Sequence, residues 1–133
     1  MKNLILIVLF TAFLFAACDK TEDPESFNFG SESKFKHGNI NKSGDNSLKF
    51  SIIEINDSRC PSDVVCVWQG MADVKVEIES PQKGTLSLNT YDNLIDTFGI
   101  YSFELIEVTP HPISTKNIEL KNYLVTLNIQ QIK

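Results

Sequence analysis

Residues 57–70 hold the side chains of this chain best suited to chemistry: Asp57, Arg59, Cys60, Asp63, Cys66 and Trp68. Arg59 is the only arginine and Trp68 the only tryptophan. Two thiols with five residues between them can form a disulfide or supply half of a metal site. The only histidines, His37 and His111, are both distant in sequence, so a metal site lacks partners and a Cys60–Cys66 disulfide is expected. Closing so short a loop gives a modest entropic gain, about 2 kcal/mol. Arg59 is spaced to form a two-pronged ion pair with Asp57 or with Asp63. Trp68 is expected to pack over the disulfide and bury most of its ring. Gly70 offers a backbone conformation or a close approach that a Cβ forbids. One reading makes this cluster a device that holds the fold together. The other makes it a rigid loop presenting Arg59 and Trp68, residue types that dominate binding hot spots, to a partner.

Catalysis finds less support. Nucleophilic chemistry needs Ser or Cys beside a His, and the Gly-x-Ser-x-Gly pattern is absent. An acid–base pair needs two carboxylates in a cleft. The only candidates on loops that can share one end of the fold are Asp57, Asp63 and His111. A calcium loop at 41–46 has oxygen donors but not the required spacing. No glycine-rich phosphate cradle occurs. No cofactor and no metal are expected, and the chain is not expected to be an enzyme; a small hydrolase or metal-dependent enzyme is the alternative.

The elements that must position this loop are strands. Residues 71–79 alternate Ala72, Val74, Val76 and Ile78 against charged partners, the period of a half-buried strand. A turn at 80–84 leads into 85–90, which makes a hairpin. Leu48, Phe50 and Ile52 alternate and then slip by one residue to Ile53 and Ile55, as a β-bulge requires. Tyr101, Phe103 and Leu105 slip in the same way to Ile106 and Val108. Residues 123–132 alternate again, and 34–40 is a weaker strand. Turns are expected at 41–46 and 109–112, and a helical turn is possible at 62–65. No window holds helical spacing for three turns. The fold class is therefore all-β, a single antiparallel β-sandwich over 35–133, with a small β-barrel as the alternative.

The N-terminus is an address. A short basic start precedes an apolar run at 4–17, too short to span a bilayer and ending in small residues. The end, Leu14-Phe15-Ala16-Ala17-Cys18, resembles a bacterial lipobox, which implies a lipoprotein signal peptide at 1–17 and an acylated Cys18. Phe15 departs from the usual aliphatic residue there. Residues 18–34 read as the acylated cysteine and a flexible tether, poor in apolar groups. The acidic stretch after Cys18 resembles the surface-export tether of Bacteroidetes lipoproteins; an inward-facing placement on the outer membrane is the alternative. The 133 residues carry a net charge of -5. Removal of 1–17 takes Lys2 and leaves eleven basic against seventeen acidic residues, or -6. Such a balance argues against nucleic acid as a partner, because phosphate neutralisation needs a clustered basic surface.

The run D-S-R-C-P at 57–61, C-V-W-x-G at 66–70 and the following strand resemble an uncharacterised domain of exported bacterial proteins. The likeness extends over about 48–129, through Leu88-Asn89-Thr90, the Val108–Pro112 turn and Tyr123. It implies an all-β exported domain and transfers no catalytic residue. The leading expectation is an outer-membrane lipoprotein of the bacterial cell envelope. It would be held by its lipid anchor and carry a non-enzymatic interaction module for an envelope protein or glycan. A purely structural envelope role is the other alternative.

Overall fold

The computed structural model describes residues 25–133. The expected signal peptide, Cys18 and the first part of the expected tether lie outside them. Nine strands are present: β1 (Glu25–Phe27), β2 (Glu32–Lys36), β3 (Ile40–Ser43), β4 (Lys49–Asp57), β5 (Ala72–Ser80), β6 (Gly84–Asn89), β7 (Ile95–Phe98), β8 (Tyr101–Thr109) and β9 (Leu124–Gln131). They form two sheets, in the orders β1-β3-β4-β5-β6 and β2-β9-β8-β7. The sheets pack face to face as a β-sandwich and do not close into a barrel. All pairings are antiparallel except β1 with β3.

The alternation in the sequence builds the core directly. Ala72, Val74, Val76 and Ile78 of β5 are buried, as are Phe103 and Leu105 of β8 and Val125, Leu127 and Ile129 of β9. Phe27, Phe35, Phe50 and Phe103 meet edge to face in the middle of the sandwich, with ring centroids 5.1–5.5 Å apart. Such aromatic pairs add to the burial of their own area. One of the three register shifts, between Lys49 and Phe50, lies at the start of β4; the other two fall where the apolar parity slips, between Ile52 and Glu54 and between Leu105 and Glu107. The residue skipped in each, Ile53 or Ile106, points outward, and the inward face resumes at Ile55 and Val108.

Several expectations are corrected. The tether does not extend to Lys34, because β1 and β2 already lie in the sheets and Phe27 is buried against Phe35 and Phe50. A segment with two apolar residues becomes ordered because both aromatic rings find the core. The folded domain thus begins by Glu25 rather than at 35. The turn at 41–46 starts later, since Asn41 and Ser43 sit inside β3 with both residues buried. No helix forms at 62–65; Val64 makes only a turn bond to Pro61, at 3.3 Å. The weak strand at 34–40 is β2 shifted toward the N-terminus, and β7 has no alternating signal at all. The β5–β6 hairpin is tighter than five residues, with strands resuming at Gly84.

The chain directions place the connections β4–β5, β6–β7 and β8–β9 at one end of the sandwich. Asp57, Asn89 and Thr109 finish strands there, while Ala72 and Leu124 begin them.

Candidate functional site

The loop from Ser58 to Met71 joins β4 and β5, neighbours in one sheet. Several bonds tie it to the other sheet, and the side chain of Arg59 makes the first of them. Arg59 donates through Nε to Asp57 Oδ1 at 2.8 Å and through Nη2 to Asp57 Oδ2 at 2.7 Å. Its Nη1 reaches the Val108 carbonyl at 2.8 Å and Nη2 the Pro110 carbonyl at 3.0 Å. The Asp57 carboxylate also accepts from the Tyr123 hydroxyl at 3.0 Å. The planar fork of arginine suits this set, since one group serves a carboxylate and two carbonyls at once. The two side chains are only 11% and 4% exposed.

Electrostatics follow from that enclosure. Burial pushes the Asp57 carboxyl upward, but the Arg59 hydrogen bonds and charge outweigh it and hold the group below its ordinary 3.8. Tyr123 is pushed up to about 12, first by burial and then by its bond to the Asp57 carboxylate.

Arg59 is therefore turned inward, which corrects the reading that presents it to a partner. The Arg59–Asp63 pairing does not form. Asp63 instead accepts from the backbone N–H and hydroxyl of Ser114, at 2.9 and 2.5 Å, and these bonds lower its carboxyl. The ring of His111 bonds the Cys60 carbonyl at 2.9 Å, and the Ser62 N–H donates to Pro112 at 3.0 Å. Asp57, Asp63 and His111 do share one end of the sandwich, yet each is engaged in tying the β4–β5 loop to the β8–β9 loop. None of these bonds joins His111 to a carboxylate. Among the described residues, no group of three or more His, Cys, Asp or Glu side chains is placed to hold a metal ion.

The remaining motif residues divide sharply. Cys60 and Cys66 form the disulfide. Gly70 has φ +66°, and a Cβ there would lie 1.9 Å from the Ser58 carbonyl oxygen, so only glycine lets the loop return past its own start. Ser58 closes the base by exchanging bonds with Met71. Trp68 departs from expectation: 59% of it is exposed, and its ring leans on Tyr91 of the β6–β7 loop with centroids 5.6 Å apart. Val65 and Val67 are fully exposed. Together with Val64 and the disulfide they line a shallow cleft of about 500 Å³. The sequence singled out Trp68 but gave no sign of Tyr91, which sits in a loop with no apolar period and is found only through the fold.

Among known proteins, the chain matches no family model, no curated protein and no solved structure.

Proposed function

We propose that this protein is a non-enzymatic lipoprotein of the bacterial outer membrane, acylated at Cys18 and displayed outward. Its β-sandwich serves as an interaction module. The docking element is the tip of the β4–β5 loop, not the Asp57–Arg59 pair. One observation carries the reading: a loop clamped by a disulfide, a cross-sheet arginine and a glycine return holds Val65, Val67 and Trp68 out in solvent. Ordering a loop costs conformational entropy, and apolar side chains held away from the core recover none of it by burial. Contiguous exposed apolar groups with an aromatic anchor are the usual mark of a contact surface.

The three candidate acid–base groups support the non-enzymatic part, because each is occupied by a loop contact. A photo-crosslinking residue at position 67, in the full chain within intact envelopes, tests the proposal. A discrete adduct that disappears in Trp68→Ala is expected. No adduct with any envelope component would leave the domain a purely structural one. Loss of the chain from the membrane fraction on Cys18→Ala tests the anchor separately.

A further inference from the structure

We infer that the apolar tip is a second membrane contact, seated on the same bilayer that holds the acyl chains of Cys18. The inference rests on the lipoprotein reading and deepens it by naming what the tip touches.

The first support is reach. Because the fold begins by Glu25, only residues 19–24 separate it from Cys18. That length of chain extends at most about 24 Å. Glu25 lies beside Asn41, which lies beside Phe50. From Phe50 to Asp57, where the clamped loop begins, β4 rises roughly 20 Å. Strand β1 runs parallel to β3, away from the clamped loop, so its N-terminal end is the one that faces the tip. The anchor thus leaves on a short tether toward the end of the sandwich that carries the clamped loop, whereas a long tether would have left the domain free to stand off.

The second support is chemistry. No charged residue occurs between Asp63 and Asp73, a gap that includes the whole tip. The two ionic groups on the N-terminal side of the tip, Arg59 and Asp63, are turned into contacts with the protein. Val65 and Val67 project fully, and Trp68 and Tyr91 stand beside them. Tryptophan and tyrosine favour the membrane–water interface, where an apolar ring and a polar N–H or O–H are both satisfied. The other exposed apolar residues, such as Ile53 and Ile106, sit among charged neighbours on the strand faces. A tip without basic residues also implies neutral lipid: the contact is apolar insertion, not attraction to anionic headgroups.

Trp68 is the only tryptophan, so its emission reports this contact alone. The full exported chain is extracted from membranes, its Cys18 checked by mass, and reconstituted into phosphatidylcholine vesicles with or without brominated acyl chains. Blue-shifted emission that loses most of its intensity in brominated vesicles is expected. A Val65→Asp, Val67→Asp variant, folded because neither side chain is buried, should still float with the vesicles yet keep its emission. Wild-type protein that floats with acylated Cys18 but is not quenched overturns the membrane contact and leaves the anchor standing. An unmodified Cys18 and no flotation overturn both. An unquenched Trp68 together with a position-67 adduct to one envelope protein overturns the contact and assigns the tip to that protein.

Discussion

The Nη1 group of Arg59 donates to the carbonyl of Val108 at 2.8 Å, joining the end of β4 in one sheet to the end of β8 in the other. Forty-nine residues separate the two in sequence. Backbone ladders stabilise each sheet, and apolar packing holds the sheets together. This bond does something else: it fixes how the open end of the sandwich closes. The same guanidinium holds Asp57, and Asp57 holds Tyr123 at the start of β9. One side chain thus gathers two loops and the ends of three strands, β4, β8 and β9, and the exposed tip stands on that base.

Removing Arg59 should therefore cost stability before it costs anything else. Arg59→Ala leaves Asp57 buried with no cation, only the Tyr123 hydroxyl and the backbone N–H of residue 59 donating to it, and breaking a buried pair costs about 3 kcal/mol or more. Arg59→Lys should recover only part, because an ammonium cannot span the carboxylate and both carbonyls. Urea unfolding measures this. A loss under about 1 kcal/mol in Arg59→Ala would mean that the pair behaves like a solvent-exposed one.

Two glycines separate strain from collision. Gly70 and Gly99 both have positive φ, +66° and +59°, but only Gly70 has backbone where a Cβ would go. Gly99→Ala should cost about 1 kcal/mol, the left-handed penalty alone. Gly70→Ala must also displace Ser58 and should cost at least twice that, with a shift in Trp68 emission. Equal losses in thermal unfolding would show that the loop base yields freely.

How much of this was legible in the sequence depended on whether a residue's role was local. The strands with strict alternation, 71–79 and 123–132, were readable because burial on one face leaves a period of two, and both bulges were readable as slips in that period. The short edge strands β1 and β7 were not. Their order depends on partners far along the chain, as Phe27 depends on Phe35 and Phe50. The disulfide and the place of Gly70 could be read from spacing and residue type, whereas for Arg59 spacing allowed Asp57 or Asp63 and only the fold chose Asp57. The exposure of Trp68 could not, because nothing local distinguishes a tryptophan that covers a disulfide from one that stands away from it. Likewise, the ends of Arg59 that bond Val108 and Pro110 had no sequence signal, since their acceptors are backbone carbonyls that every residue carries.

The coupled pair Asp57 and Tyr123 should limit stability at both extremes of pH. The Asp57 carboxyl is depressed in the folded state, so its contribution is complete above its unfolded value near 3.8 and is lost as pH falls below that. The Tyr123 hydroxyl is raised from 10.0 to about 12, so its contribution is complete below pH 10 and is lost as pH rises toward 12. The alkaline loss should be on the order of 2 kcal/mol. Tyr123→Phe should remove the loss between pH 10 and 12, and Asp57→Asn should shrink the acid limb to what the other lowered carboxyls, Asp45 and Asp63, contribute. An alkaline limb unchanged in Tyr123→Phe would sink the assignment.

Stability and binding should part company at the tip. A buried tryptophan truncated to alanine costs about 3–5 kcal/mol, but Trp68 has more than half its surface in solvent and leans mainly on Tyr91. Trp68→Ala should therefore cost under about 1 kcal/mol in urea unfolding. Replacing Cys60 and Cys66 by serine should cost about 2 kcal/mol, the entropy of a short closed loop. It should also lower the fluorescence anisotropy of Trp68, because the disulfide closes residues 60–66, beyond the contacts that Arg59, Ser62, Asp63 and Gly70 make at the base. If the serine variant keeps both the anisotropy and the position-67 adduct, the clamp is not what presents the tip. If Trp68→Ala instead unfolds the domain, the ring belongs to the core, and the exposed surface proposed as the contact does not exist.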